Sequence, residues 1–150
     1  MFPSRLNEAS DSHVIKNGVV FQKMQTLEQV LTELRSLGVV TSRDLQDDWR
    51  TRRAVERDRQ VLIEIVIDIC QRLLTLHGQT PAPTSRDAVE RCIQLRVLSD
   101  DTAYRKMVQF RNFVIHRYEQ VDIDILVDMV NHRLPDFERF RSEVLTFARN

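Results

Sequence analysis

Apolar residues recur at helical spacing through most of this chain. From Val20 they fall three, four or seven positions apart, which predicts a helix that ends at Gly38. A longer series with the same period runs from about Asp47 to Leu76, before Gly78 and the breaker QTPAPTS. At about 1.5 Å per residue this second helix would be roughly 45 Å long. The pattern predicts an all-α protein.

Residues that commonly cap helices indicate where the shorter helices begin. Thr41 or Ser42 can cap a short turn ahead of the long helix. Thr84 is followed three positions later by Asp87, which resembles a capping box with Asp in place of the usual Glu. This box predicts a third helix that extends to about Leu98.

The last third of the chain carries further helical patterns. Ser99 or Asp100 can cap a fourth helix, and Asp122 begins a fifth, DIDILVDMVNHRL, which Pro135 should end or bend. A final amphipathic segment has its apolar residues at helical spacing: Phe137, Phe140, Val144 and Phe147. We therefore expect an up-and-down bundle of four main helices with short additional helices.

The composition agrees with one helical domain. A chain of 150 residues that is 42% hydrophobic can bury one core, and its 3 Gly and 4 Pro leave little room for turns. Residues 1–18 are polar and end at Asn17-Gly18, a turn signal. We therefore expect a polar N-terminal tail at residues 1–18 and a single domain at residues 19–150.

Charge, cysteines and hydropathy exclude several classes of protein. Basic and acidic residues balance at 22 each, so RNA binding would need a local basic patch. Cys70 and Cys92 belong to no CxxC pair, so we expect reduced thiols. The N-terminus lacks an apolar run, and the most apolar segment, VLIEIVIDIC, contains Glu64 and Asp68. We expect no signal peptide, no membrane span and a cytoplasmic location.

The segment FRNFVIHRYEQVD, residues 110–122, is unusually polar for a core helix. At about 100° per residue, Asn112 and His116 lie on one helix face, so the amide can orient the imidazole. Arg111 and His116 are separated by roughly 140° and do not converge on an unbroken helix. A functional Arg–His site therefore requires a helix end near His116 or a second copy of the chain.

An arginine and a histidine suit the cleavage of RNA, because the nucleophile is the 2′-OH of the substrate itself. A histidine can move the proton, and a guanidinium can stabilise the charged phosphorane. The same spacing also fits a structural histidine, which is the more frequent case. His13, His77, His116 and His132 form no HxxxH or HExxH pattern, so we predict no metal site.

Three parts of the sequence resemble a known family. Residues 111–118 are similar to the Arg-x4-His-x-Tyr signature of the HepT-like toxins, a branch of the HEPN superfamily of small helical ribonucleases. WRTRRAVERDRQVLIEIVIDIC, from Trp49 to Cys70, resembles the earlier long helix of that family, and VDIDILVDMV resembles the helix after the signature. The similarity runs from about Val20 to near the C-terminus.

The resemblance implies a homodimer with a metal-independent endoribonuclease site in the cleft between its two chains. Arg111 and His116 of both chains would act on RNA without a cofactor, and Asn112 would orient the histidine. It also implies a type VII toxin–antitoxin system, in which an MntA-like minimal nucleotidyltransferase transfers AMP onto Tyr118. Added phosphates two residues from His116 would repel RNA and fill the cleft. The alternative is a non-catalytic helical partner that binds a nucleotidyltransferase or nucleotides.

Two further charged groups allow both a functional and a structural interpretation. Glu64 and Asp68 share a helix face and can line the cleft and hold Arg111, or they mark a solvated stripe. A basic segment can follow an RNA backbone, but its mixture with Glu56 and Asp58 favours a solvated face with local ion pairs. That segment contains five arginines: Arg50, Arg52, Arg53, Arg57 and Arg59.

Aromatic and aliphatic residues near these groups are assigned to packing. Trp49, at the head of the second helix, can stack on a base, but an aromatic residue at a helix entrance usually packs. The signature segment contributes four residues to the core or to the dimer interface: Phe110, Phe113, Val114 and Val121.

Overall fold

The architecture comes from a computed structural model that describes residues 4–109 and 122–149, with side chains from residue 18 onward. The described ranges form helices and contain no strand, so the all-α prediction is confirmed. The helices are α1 (Ser4–Arg35), α2 (Ser42–Asp47), α3 (Trp49–Leu76), α4 (Ser85–Gln94), α5 (Thr102–Gln109), α6 (Ile123–Asp128) and α7 (Leu134–Arg149). A π-helical turn, Met129–Arg133, joins α6 to α7.

The first helix is longer than the sequence predicted. We expected it to begin near Val20, whereas α1 begins at Ser4 and passes through Asn17-Gly18. A helix that is already nucleated by a packed face extends at little cost, and one internal glycine costs only about 1 kcal/mol. Asn17-Gly18 therefore does not form the turn that the sequence indicated, while the domain boundary at residues 18–19 stays a prediction.

The ends of the next helices agree with the sequence. Gly38 has φ +65° just after α1, the left-handed conformation that a helix end favours. The Thr41 hydroxyl accepts the Asp44 N–H at 3.1 Å, and the Thr41 N–H donates to the Asp44 carboxylate at 2.9 Å. The Asp48 carboxylate caps α3, which begins at Trp49, two residues after the predicted start.

The fourth helix ends earlier than predicted. The Thr84 hydroxyl caps it as expected, but α4 ends at Gln94 instead of near Leu98. The N–H groups of Val97 and Leu98 both donate to the Cys92 carbonyl, at 3.0 and 3.3 Å. These bonds close the helix around Arg96, which has φ +62°. A tight closure without glycine carries no sequence signal, which explains the error.

The start of α5 differs from the prediction by one or two residues. Asp101, not Ser99 or Asp100, caps this helix, because its carboxylate accepts the Ala103 N–H at 2.8 Å. The Ser99 N–H donates instead to the Glu143 carboxylate of α7 at 3.1 Å. Three adjacent polar residues offer equivalent caps locally, so the choice depends on contacts with another helix.

The chain stays helical through Pro135. The Asp122 carboxylate accepts the Asp124 N–H at 2.8 Å and caps α6, as predicted. Pro135 does not end the helix, because the preceding turn at Met129–Arg133 is π-helical. Proline lacks an N–H and collides with the carbonyl four residues earlier, and a π turn changes that hydrogen-bonding pattern.

The long helix α3 is the centre of the bundle. It contacts α1, α2, α4, α5 and α6, while α7 packs on α1 and α5. The predicted apolar face of α1 is buried, mainly against α3: Val20, Met24, Leu27, Val30, Leu31 and Leu34.

The two cysteines, Cys70 and Cys92, are buried free thiols. Among the described helices, none has the length and apolar character needed to cross a membrane.

Candidate ribonuclease site

Two sets of predicted residues lie outside the described part of the chain. The first is the proposed site: Arg111, Asn112, His116 and Tyr118. The second is the apolar set: Phe110, Phe113, Val114 and Val121. The structure describes the flanking helices, α5 and α6, and both contact α3. The roles of the eight residues therefore stay predictions, and the geometry below concerns the helices on each side.

Arg105 joins α5 to α4. Its guanidinium donates two hydrogen bonds to the Glu90 carboxylate, one of them at 3.2 Å, and lies 2.8 Å from the Asp100 carboxylate. The bond to Glu90 raises the pKa of Arg105 and lowers the pKa of Glu90. This bidentate contact fixes the orientation of α5 on its neighbour.

Tyr104 joins α5 to α7. Its side chain is fully buried, and its hydroxyl donates to the Glu143 carboxylate. The Arg139 guanidinium donates to the same hydroxyl at 3.3 Å and lies 2.8 Å from the Asp101 carboxylate. Burial and then the bond to Glu143 raise the pKa of Tyr104. The Tyr104 hydroxyl is therefore enclosed and already bonded, unlike an acceptor for covalent modification.

The other flank is fixed to the start of α2 and to the loop before it. The Ser42 hydroxyl donates to the Asp124 carboxylate of α6 at 2.9 Å. In the π-helical turn, the Asn131 amide oxygen accepts the Val40 N–H at 3.0 Å, and its nitrogen donates to the Val40 carbonyl at 2.8 Å. Both flanks of segment 110–121 are thus anchored by side-chain contacts with neighbouring elements.

Glu64 and Asp68 lie on the side of α3 that faces α1. The Asp68 carboxylate is 53% exposed and lies 3.3 Å from the Lys23 ammonium. Glu64 lines a groove of about 250 Å³ between the two helices, together with Lys23 and Arg57. The contact of these carboxylates with Arg111 stays a prediction. Within the described ranges, no three His, Cys, Asp or Glu side chains come together as a metal site.

The arginines of α3 do not form one solvated face, which corrects the sequence prediction. Arg52 pairs with Glu56 at 3.2 Å, as expected for a local ion pair. Arg59, however, is only 7% exposed. It lies four residues after Val55 and four before Ile63, both buried, so its long apolar stem follows the core face of the helix. This spacing could have predicted that Arg59 is buried, but its positive charge led to its assignment to the solvated face.

The packing interpretation of Trp49 is also wrong. Its side chain is 65% exposed, and the Arg50 guanidinium lies 5.4 Å from the centre of its ring. Trp49 precedes the first buried residue of α3, Val55, by almost two turns. The start of α3 therefore projects beyond the core, where the indole has little to pack against.

Arg59 opens onto a cavity of about 180 Å³ between α3, α5, α6 and α7. Lys106 of α5 and Arg133 of the π-helical turn also line it, with Asp128 and Asp136. The rest of its wall is mainly apolar: Ile63, Met107, Ile125, Met129 and Phe137. No motif in the sequence predicted this cavity, because its residues come from five separate elements: four helices and the π-helical turn.

The helical bundle is the fold of HEPN toxins. It matches a tri-AMPylated Shewanella oneidensis HEPN toxin in complex with MNT antitoxin, with a TM-score of 0.75 and 23% identity over 85% of this chain and 97% of that one. A crystal structure of a toxin–antitoxin with AMP-PNP matches with a TM-score of 0.76 and 23% identity, over 87% of this chain and 99% of that one.

The family follows from the sequence itself. The Ribonuclease HepT-like model matches residues 27–144, and the chain belongs to this family. The mRNA nuclease HepT of Shewanella oneidensis is 25% identical over 126 residues, which are 83% of this chain and 94% of that protein. The resemblance to HepT-like toxins found in the sequence is therefore confirmed.

Proposed function

We propose that this protein is the RNase toxin of a toxin–antitoxin system of the HepT–MntA type. The family match carries the proposal, because residues 27–144 include the segment that holds Arg111, Asn112, His116 and Tyr118. The similar Shewanella oneidensis protein is an mRNA nuclease, which supports RNA as the substrate. We infer a cytoplasmic site of action in a prokaryotic cell.

The proposed reaction is an attack by the 2′-OH of the RNA on the adjacent phosphorus. A bond forms between the 2′-oxygen and phosphorus, and the bond to the 5′-oxygen breaks. His116 moves the proton between these two oxygens, directly or in two steps, while Arg111 stabilises the additional negative charge on the phosphorane. Asn112 holds the imidazole in position. This chemistry requires no metal ion.

The proposed site is formed by two copies of the chain. On one helix Arg111 and His116 are separated by roughly 140°, so a second copy supplies the missing partner across a two-fold interface. Glu64 and Asp68 are proposed as supports for the cleft, since a carboxylate on the surface of α3 can hold the guanidinium of Arg111.

The proposed off-switch is AMP attached to Tyr118 by an MNT-type nucleotidyltransferase antitoxin. The solved complex of an AMPylated HEPN toxin with MNT antitoxin supports this type of regulation. The chain has 2 tyrosines, and the buried Tyr104 is a poor acceptor, which leaves Tyr118. The added phosphate would occupy the cleft and repel the RNA backbone.

The activity is tested with purified, unmodified chain in the absence of antitoxin. We expect it to cleave RNA in the presence of EDTA, and we expect His116→Ala to reduce the rate at least about 100-fold. The matched control is His132→Ala, because His132 is exposed on the π-helical turn. Intact RNA with the wild-type chain, or equal cleavage by His116→Ala, would refute the nuclease. Circular dichroism and light scattering check fold and dimer.

A mixed dimer tests whether the site is shared. We expect a chain with Arg111→Ala alone and a chain with His116→Ala alone each to be inactive. A dimer of one such chain with the other retains one Arg and one His, in different chains. We expect the isolated mixed dimer to recover cleavage. If it stays inactive although both variants dimerise, the Arg and His that act together belong to the same chain.

If EDTA abolishes wild-type cleavage, the metal-independent mechanism is wrong.

A further inference from the structure

The buried Arg59 carries a charge that the described part of the protein does not neutralise. Its side chain is more than nine-tenths buried at the wall of the cavity between α3, α5, α6 and α7. Among the described residues, none forms a hydrogen bond or ion pair with this guanidinium, and burial is the one influence on its pKa, which it lowers. A guanidinium has five N–H donors, and a buried charge normally has a partner of opposite sign. The cavity beside Arg59 is therefore suited to an anion.

The charged side chains around the cavity indicate how many negative charges a bound anion should carry. Among the described residues, three cationic side chains and two carboxylates line it, which leaves a surplus of one positive charge. The Asp128 carboxylate already accepts from Arg133 at 2.9 Å, and Asp136 lies 3.9 Å from Arg139. Lys106 and Arg133 are exposed to solvent, so Arg59 is the buried cation of the described lining. A singly charged anion matches this balance better than a doubly charged one.

The shape and lining of the cavity narrow the chemistry further. Its volume of about 180 Å³ exceeds what a small ion needs, and its apolar wall suits a ring or a hydrocarbon surface. A guanidinium forms two parallel hydrogen bonds with a phosphate or a carboxylate. A phosphodiester with its attached ribose satisfies both requirements, because it carries one negative charge beside the C–H groups of the sugar ring.

The position of the cavity relates it to the proposed nuclease site. Lys106 and Met107, which line it, lie in the last turn of α5, and Ile125 lies in the first turn of α6. Segment 110–121, with Arg111 and His116, connects these two helices in sequence. The cavity thus borders both flanks of the segment that carries the proposed catalytic residues.

We propose that the Arg59 cavity binds a backbone phosphodiester of the RNA substrate other than the one that is cleaved. Arg59 contacts the phosphate oxygens, Lys106 contributes at the rim, and the apolar wall receives the sugar. The proposal rests on the nuclease function proposed above, and it makes Arg59 a binding residue rather than a catalytic one.

Binding of a short 2′-O-methyl RNA tests this proposal without cleavage, because that RNA lacks the nucleophile. We expect Arg59→Leu to weaken binding roughly 10-fold or more, and to reduce the slope of log K against log salt by about 0.7. Arg72→Leu is the matched control, because Arg72 is exposed on the same helix about 20 Å away. Equal binding by Arg59→Leu and Arg72→Leu would overturn the proposal.

Additional variants protect the test against misfolding. Thermal unfolding should show that Arg59→Leu is at least as stable as wild type, because it removes a buried charge that no described residue neutralises. If Arg59→Leu does not fold, Lys106→Gln replaces it, since Lys106 is exposed. We expect that variant to reduce the salt slope by about 0.7 as well. An unchanged slope would then count against the site.

Small probes distinguish a phosphodiester site from a carboxylate site. Titration of ¹⁵N-labelled protein with dimethyl phosphate should shift the Arg59 Nε signal, and acetate should shift it less. The reverse order would overturn the proposal. Failure of this proposal can be distinguished from failure of the proposed nuclease. If wild type cleaves RNA but binding does not depend on Arg59, only the cavity proposal is wrong. If binding depends on Arg59 but no RNA is cleaved, only the nuclease proposal is wrong.

Discussion

The Cys92 thiol donates a hydrogen bond to the Cys70 carbonyl oxygen, with 3.6 Å between sulfur and oxygen. This contact joins α4 to the central helix α3 inside the core, and both side chains are at most 1% exposed. Hydrogen bonding to the Cys92 thiol, and then burial, raise the pKa of Cys70. The thiolate is the reactive form of cysteine, so this environment keeps the Cys70 thiol inert.

We therefore expect the native protein to resist thiol reagents. Treatment with a disulfide reagent such as DTNB at pH 8 should release little product until the protein is unfolded. In guanidinium chloride both of its 2 cysteines should react at once. Rapid reaction of either thiol in the folded protein would mean that α4 separates from α3 readily.

Replacing Tyr104 by Phe should destabilise the protein. The substitution keeps the ring in the core but removes the hydroxyl that donates to Glu143 and accepts from Arg139. We expect a loss of about 2 kcal/mol in the free energy of unfolding, measured by urea denaturation. A loss in unfolding free energy below about 0.5 kcal/mol would show that the hydrogen bonds of the Tyr104 hydroxyl contribute little to stability.

The same tyrosine should make stability depend on alkaline pH. The pKa of Tyr104 is higher in the folded protein than the ordinary tyrosine value of about 10, so the unfolded chain loses its proton first. Its contribution to stability is therefore complete below about pH 10 and decreases as the pH rises further. The difference in unfolding free energy between wild type and Tyr104→Phe should shrink above that pH. A constant difference would contradict this assignment.

Modification by the antitoxin should distinguish the two tyrosines. After incubation with its MNT-type nucleotidyltransferase and ATP, we expect the intact mass of the chain to increase in AMP-sized steps. Tyr118→Phe should abolish the increase, whereas Tyr104→Phe should retain it, because the Tyr104 hydroxyl is enclosed in the core. No increase with wild type, or an equal increase with Tyr118→Phe, would exclude Tyr118 as the acceptor.

Two glycines should respond to alanine in opposite directions. Gly18 lies inside α1, so Gly18→Ala should stabilise the protein by about 0.5 to 1 kcal/mol. Gly38 has φ +65°, so Gly38→Ala should destabilise it by about 1 kcal/mol. An added Cβ meets no atom within 4 Å at either position, so both effects come from the backbone. If urea denaturation shows that Gly18→Ala destabilises the protein, Gly18 is not inside a helix and the assignment of α1 through this residue is wrong.

Local signals in the sequence were sufficient for much of the fold. The buried face of α1, the Thr41 and Thr84 caps and the approximate limits of α3 all follow from periodicity and from side chains a few residues apart. The family was also recognisable, because a signature of eight residues and the order of the surrounding helices lie in the linear sequence.

Tertiary contacts determined what local signals left open. Asp101 rather than Ser99 caps α5, since the Ser99 N–H is occupied by Glu143 of a distant helix. Pro135 continues a helix because a π-helical turn precedes it, and no local pattern announced that turn.

The sequence alone determined the all-α class, the order of the main helices and the family, because each depends on residues close together along the chain. Only the tertiary structure showed that Arg59 is buried while other arginines of α3 are exposed, and that Lys106 and Arg133 share its cavity. The reason is physical: helical period assigns a residue to a face, but the partners of that face come from other helices. Whether a charge on it is solvated, paired or left facing a cavity depends on those partners.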